Sequence, residues 1–151
     1  MDRRLFLAGT ASIVVLPFGP PFGSASATPE AMAEAIKKVV GNSTVTEGRV
    51  ALDVPLLIEN GNTVPLVVSV QSPMTVADHV KAIHVFNVKN PQPNVFSARL
   101  SARNGRAVIG TRIKLGDSQK IVAIAETSKG EFWTASADVI VTLAACLEDL
   151  T

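Results

Sequence analysis

The chain has 151 residues, of which 47% are hydrophobic and 18% charged, with 14 Lys and Arg against 13 Asp and Glu. That length suits one domain, the hydrophobic share excludes a disordered polar tail, and the even charge argues against a nucleic-acid face or a polybasic membrane patch. One cysteine, two histidines and no tyrosine exclude an internal disulfide and a cage of several cysteines around zinc, and leave little for a self-sufficient hydrolytic or redox site.

Residues 1–27 read as an export signal. Arg3-Arg4 is followed by Leu5, Phe6 and Leu7, a twin-arginine pattern, and then by a mildly apolar stretch from Ala8 to Leu16. That stretch falls short of the about 20 apolar residues that cross a bilayer. Pro17, Pro20 and Pro21 end it, and Ala25-Ser26-Ala27 supplies a small-residue cleavage site. The mature chain is expected to begin near Thr28 and to reside in the bacterial periplasm. A lone thiol, Cys146, is unusual in an oxidising compartment. The twin-arginine route carries folded cargo. The sequence has no cofactor motif, so no cofactor is expected, and a partner exported with the chain is the more economical explanation.

Residues 28–143 are expected to form one domain, a helix followed by a β-sandwich. Thr28 suits an N-cap, Pro29 the first helical position and Glu30 the positive end of the helix dipole. Met32, Ala35, Ile36, Val39 and Val40 recur at helical spacing, and Gly41-Asn42 stops the run.

After Gly48 the pattern is β. A short strand is expected over 48–53. A second, over 63–71, places Val64, Leu66, Val68 and Val70 on one face, with Pro65 marking an edge or a strand start. A third covers 80–88 and ends at the turn cluster Asn90-Pro91-Gln92-Pro93-Asn94. Strands over 95–100 and 107–115 are expected to pair as a hairpin across Asn104-Gly105. The apolar run 120–126 reads as a central strand.

The last strand alternates most clearly. Trp133, Ala135, Ala137, Val139, Val141 and Leu143 share one face, and Phe132, Thr134, Ser136, Asp138, Ile140 and Thr142 the other. Seven or so short strands with regular turns indicate an all-β, immunoglobulin-like antiparallel sandwich with a short N-terminal helix, a small barrel being the alternative.

No catalytic constellation stands out. A cysteine nucleophile needs a base within hydrogen-bond reach, and the only imidazoles, His79 and His84, lie far from Cys146 in sequence with a spacing that is no ligand signature on a strand. Neither metal nor general base is expected there. The position of Cys146 is more telling. Residues 144–151 form an arm: Ala144 and Ala145 precede the cysteine and Leu147 follows it. Counted from Leu143, read as the last core residue of the last strand, at roughly 3.3 Å per extended residue, the sulfur is expected about 10 Å past the sandwich. That is the geometry of a tether able to enter another protein's pocket.

Several runs then resemble a known family. Glu47 to Pro55, Glu59-Asn60-Gly61-Asn62-Thr63-Val64-Pro65, Ser72 to Phe86, Lys89 to Val95 and Ser101 to Leu115 are similar to SoxY, a sulfur-oxidation carrier. The resemblance implies an immunoglobulin-like sandwich that pairs with a SoxZ-like subunit. It implies a C-terminal cysteine that carries thiosulfate-derived sulfur species covalently. It also implies Sox-type haem and hydrolase enzymes as partners that load and hydrolyse the adduct, the carrier itself not being an enzyme.

The functional end departs from the family. A SoxY arm reads Gly-Gly-Cys-Gly-Gly and stops, whereas this one reads Ala144-Ala145-Cys146-Leu147-Glu148-Asp149-Leu150-Thr151. Alanine lacks the backbone freedom of glycine. The leucines add bulk, and the two carboxylates oppose an anion and raise the thiol pKa. Two readings stand: a periplasmic carrier using Cys146, or a SoxY-like binding or scaffolding subunit with impaired or lost carrier function.

Overall fold

The computed structural model describes residues 27–145. The export signal lies outside them except for Ala27, and Cys146, Leu147 and the rest of the tail lie outside them too.

Helix α1 spans Pro29–Val40, with the Thr28 side chain accepting a hydrogen bond from the Ala31 N–H at 3.2 Å and Gly41 ending it at φ 62°. Cap, proline and stop all fall where the residue chemistry places them. Nine strands follow: β1 Val45–Glu47, β2 Val50–Asp53, β3 Leu57–Ile58, β4 Val64–Val70, β5 Val80–Asn87, β6 Asn94–Arg99, β7 Ala107–Ile113, β8 Gln119–Thr127 and β9 Phe132–Val141. They build two sheets. The larger runs β1-β9-β8-β5-β6, with β3 also paired to β9, and the smaller runs β2-β4-β7. All pairings are antiparallel except β1 and β3, which both lie parallel to β9.

The main core lies between the sheets. Val64, Leu66, Val68 and Val70 from β4 face Val80, Ile83 and Val85 from β5, Ile121, Ala123 and Ala125 from β8 and Val139 from β9. A second apolar layer lies on the outer face of the large sheet, where α1 covers it. Val40 joins Phe86, Ile124 and Phe132 there, with Met32, Ala35, Ile36 and Val39 packed around them. The helical stripe read from the sequence thus has its target on the sheet.

Three expectations are corrected. The strands before and after Asn104-Gly105 are not a hairpin: β6 pairs with β5, and β7 pairs with β4 in the other sheet. The reason is local. Ser101 and Asn104 form a capping box around a short 3-10 turn, Ala102–Asn104, with Asn104 Oδ1 accepting from the Ser101 N–H at 2.8 Å. Gly105, at φ 69°, ends that turn, and the chain crosses between sheets instead of doubling back. The strand read over 48–53 begins only at Val50, because Gly48 (φ 117°) and Arg49 (φ 54°) form a corner after the unforeseen β1. Leu143 is not a core residue but 60% exposed.

Pro65 sits at the start of β4, where only β7 flanks it. The β2 pairing covers Val67 to Val70, so Pro65 lies on a locally open edge although β4 is the middle strand of its sheet.

Candidate functional site

The segment that leads to Cys146 leaves the sandwich at the C-terminal end of β9. Its last described residues are held by three backbone hydrogen bonds. The Gly61 N–H donates to the Leu143 carbonyl at 2.7 Å, the Leu115 N–H donates to the Gly61 carbonyl at 2.8 Å, and the Ala145 N–H donates to the Leu115 carbonyl at 2.9 Å. Three chain segments meet in this clasp: the loop before β4, the loop after β7 and the root of the arm.

Leu115 is fully buried in the main core and Ala145 is buried beside it, whereas Ala144 is exposed. Of the expected arm, Ala144 and Ala145 are therefore described, and only Ala144 faces solvent. The tether reckoned from Leu143 does not run freely outward over these residues. Its last described residue folds back onto the body, and Cys146 follows it by one peptide bond.

Gly61 is required here by space. A β-carbon on it would overlap the Leu115 carbonyl oxygen and lie 2.9 Å from the Ala145 nitrogen and 3.1 Å from the Leu143 oxygen. All three are backbone atoms, which cannot swing aside as a side chain would. Residue-by-residue reading did not single out Gly61 or Leu115. The available signal was the run Glu59 to Pro65, a stretch of similarity around an otherwise ordinary Asn-Gly-Asn turn. In the structure Asn60 Oδ1 accepts from the Asn62 N–H at 3.0 Å, closing that turn.

Around the root lie exposed apolar side chains. Leu57 pairs with Ile140 on adjacent strands, Leu56 accepts from the Ile140 N–H, and Leu143 follows. Leu56, Leu57, Ile140 and Leu143 are each at least 60% exposed, an uncommon grouping for a surface facing only water.

The histidines are elsewhere. His79 precedes β5 and its backbone N–H donates to Ser128 Oγ at 3.1 Å, which places it at the end of the sheet where β8 turns into β9. The full length of β9 separates that end from Ala145. His84 lies mid-strand with Nδ1 2.7 Å from Ser97 Oγ and its ring stacked on Phe86. Burial holds its pKa below the usual histidine value, against the pull of Glu126, and Arg99 lowers it further. The structure brings neither imidazole to the arm root, and among the described residues no group of three or more His, Cys, Asp or Glu could hold a metal ion.

The fold is similar to several solved structures. The sulfur carrier protein SoxY from Chlorobium limicola f thiosulfatophilum superposes with a TM-score of 0.64 at 23% identity, over 76% of this chain and 98% of that one. A superoxide reductase (neelaredoxin) from Ignicoccus hospitalis gives a TM-score of 0.56 at 21% identity, over 81% of this chain and 99% of that one. A superoxide reductase from Nanoarchaeum equitans gives 0.54 at 12% identity, over 64% of this chain and 100% of that one. At these identities the likeness shows a shared sandwich and nothing about chemistry. Among curated proteins none matches the chain. The family model of the sulfur oxidation protein SoxY matches residues 36–146. That span runs from the middle of α1, through both sheets and the clasp, to the cysteine itself, and the chain belongs to the SoxY family of sulfur oxidation proteins.

Proposed function

We propose that the protein is a periplasmic sulfur carrier, exported by the twin-arginine route, that holds thiosulfate-derived sulfur covalently on Cys146. The observation that carries this reading is that the family match extends to residue 146, the position of the single cysteine. The thiolate is the sulfur nucleophile. Loading joins the Cys146 sulfur to the outer sulfur of thiosulfate. It gives a cysteine S-thiosulfonate and releases two electrons, which a haem enzyme of the Sox type accepts. Water then cleaves the sulfone group in a hydrolase. Sulfate and two protons leave, and a persulfide anion remains on Cys146. Both steps belong to partner enzymes; the carrier presents the sulfur.

A SoxZ-like sandwich is the proposed partner subunit. The supporting observation is apolar surface on the body: the group around Leu57 and Ile140, and the outer face of the β2-β4-β7 sheet with Val67 and Val108 exposed. Mass spectrometry of the protein from thiosulfate-grown cells tests the carrier reading. Adducts of thiosulfonate or persulfide mass on Cys146, absent in Cys146→Ser, are expected; a clean thiol throughout overturns it.

One feature favours a second reading, a binding or scaffolding subunit with impaired carrier function. The family match stops at residue 146, and Leu147-Glu148-Asp149-Leu150-Thr151 lies beyond it. Two carboxylates there oppose an anionic substrate. In that case a stable complex with a SoxZ-like subunit accompanies the clean thiol.

A further inference from the structure

We propose that Gly61 is the positioning residue for Cys146, acting through the clasp that it forms with Leu115 and Ala145. This inference rests on the carrier reading for its purpose, but its geometry stands apart from it. The clasp immobilises the backbone up to Ala145: one bond holds the Leu143 carbonyl, one holds the Ala145 N–H, and the third ties the two holding segments together. Consecutive Cα atoms are about 3.8 Å apart, so the Cα of Cys146 is held that close to a buried, hydrogen-bonded residue.

The consequence is a defined root. A flexible arm that began at Leu143 would spread its sulfur over a wide volume and lose conformational entropy whenever an enzyme captured it. An arm rooted at Ala145 leaves the body at one point, two residues after the exposed Leu143. Only glycine permits this at position 61, because any β-carbon meets the backbone of both other segments. Replacement by alanine must therefore push the arm root away from Leu115, or displace Leu115 from the core.

The single cysteine makes the test specific. A methanethiosulfonate nitroxide forms a disulfide with Cys146 and releases methanesulfinate, and its electron paramagnetic resonance spectrum reports local motion. The full mature chain is compared with Gly61→Ala and with Ala145→Pro, which removes the N–H donated to Leu115 without adding bulk at Gly61. We expect a slow component in the parent and a correlation time shortened about threefold or more in both variants, on the nanosecond scale of loop motion. Amide exchange at residue 145 should accelerate in Gly61→Ala alongside the spectrum. Unchanged spectra in both variants, with circular dichroism showing an intact sandwich, overturn the proposal. If Gly61→Ala fails to fold, Ala145→Pro decides alone, since it lies after the last strand. The carrier reading is judged separately by the sulfur adduct on Cys146, so a clean thiol in cells and an unmoved spin label are distinguishable failures.

Discussion

Strands β4 and β5 are both rich in valine and both have a neighbour on each side, yet they are buried differently. In β4 the inward residues Val64, Leu66, Val68 and Val70 are buried while Pro65 and Val67 are exposed. In β5 Ala82, Ile83, Val85, Phe86 and Asn87 are all buried, and only Lys81 is exposed. The difference is the helix. α1 lies on the outer face of the large sheet against Phe86, Ile124 and Phe132, and no described element lies on the outer face of the small one. The helix covers the outer face of the large sheet around Phe86, Ile124 and Phe132, and the small sheet keeps its apolar outer face for solvent or for another protein.

Phe86 is the sharpest probe of the covered face. Phe86→Ala should cost about 3–5 kcal/mol, since a large aromatic is removed from a packed layer that can collapse only in part. Urea denaturation measures it, and a loss under 1 kcal/mol would show that α1 does not seal that face.

Asn87 probes the opposite effect on the same strand. It is fully buried, and neither its Nδ2 nor its Oδ1 has a hydrogen-bond partner among the described residues. Replacing an unsatisfied buried amide by an apolar group of similar volume recovers about 1–3 kcal/mol. Asn87→Leu is therefore expected to raise the urea midpoint.

Thr28→Ala removes the side-chain cap of the covering helix and should lower stability by about 1 kcal/mol. Amide exchange should quicken in α1 and leave β4 unchanged, which separates the two regions directly.

His84 gives the region a pH dependence. Burial, the larger cause, and Arg99 lower its pKa from 6.5, while Glu126 opposes them. Ser97 faces its Nδ1. Above about pH 6.5 both the folded and unfolded states hold the ring neutral, and its contribution is complete. As pH falls below that value the unfolded state takes up the proton first, so stability declines until the folded pKa is passed. Melting temperatures between pH 7 and 5 should fall less steeply in His84→Asn than in the parent.

The smallest effect belongs to the bare face. Val67→Thr should change stability by no more than about 0.5 kcal/mol, since Val67 already stands in solvent. A larger loss by urea denaturation would mean that another chain covers the face in solution.

Much of this architecture was legible in the sequence. Thr28, Pro29 and Gly41 mark the ends of α1 because capping is decided by neighbouring backbone groups. The alternation of β4 follows from period-two burial, and the central place of β8 from its continuous apolar run, Ile121 to Ala125. What misled was Asn104-Gly105. The same pair that closes a tight hairpin also ends a capped 3-10 turn, and only the pairing of distant strands distinguishes them. Leu143 misled for a related reason: alternation continues in sequence after Val141, which is both the last residue of β9 with a cross-strand partner and its last core contact. For the site, Cys146 was conspicuous as the single thiol, whereas Gly61 looked like any turn glycine.

The sequence by itself therefore determined α1, the longer strands, the buried faces of β4 and β9 and the residue with a reactive atom, because those depend on composition and short-range periodicity, whereas the short β1 and β3 were not legible in it. Which strands share a sheet, which face α1 covers and what holds the arm were decided by tertiary structure alone. Gly61, Leu115 and Ala145 are separated by 54 and 30 positions in the chain, and their clasp is made of backbone atoms, which every residue carries and no side-chain pattern reveals.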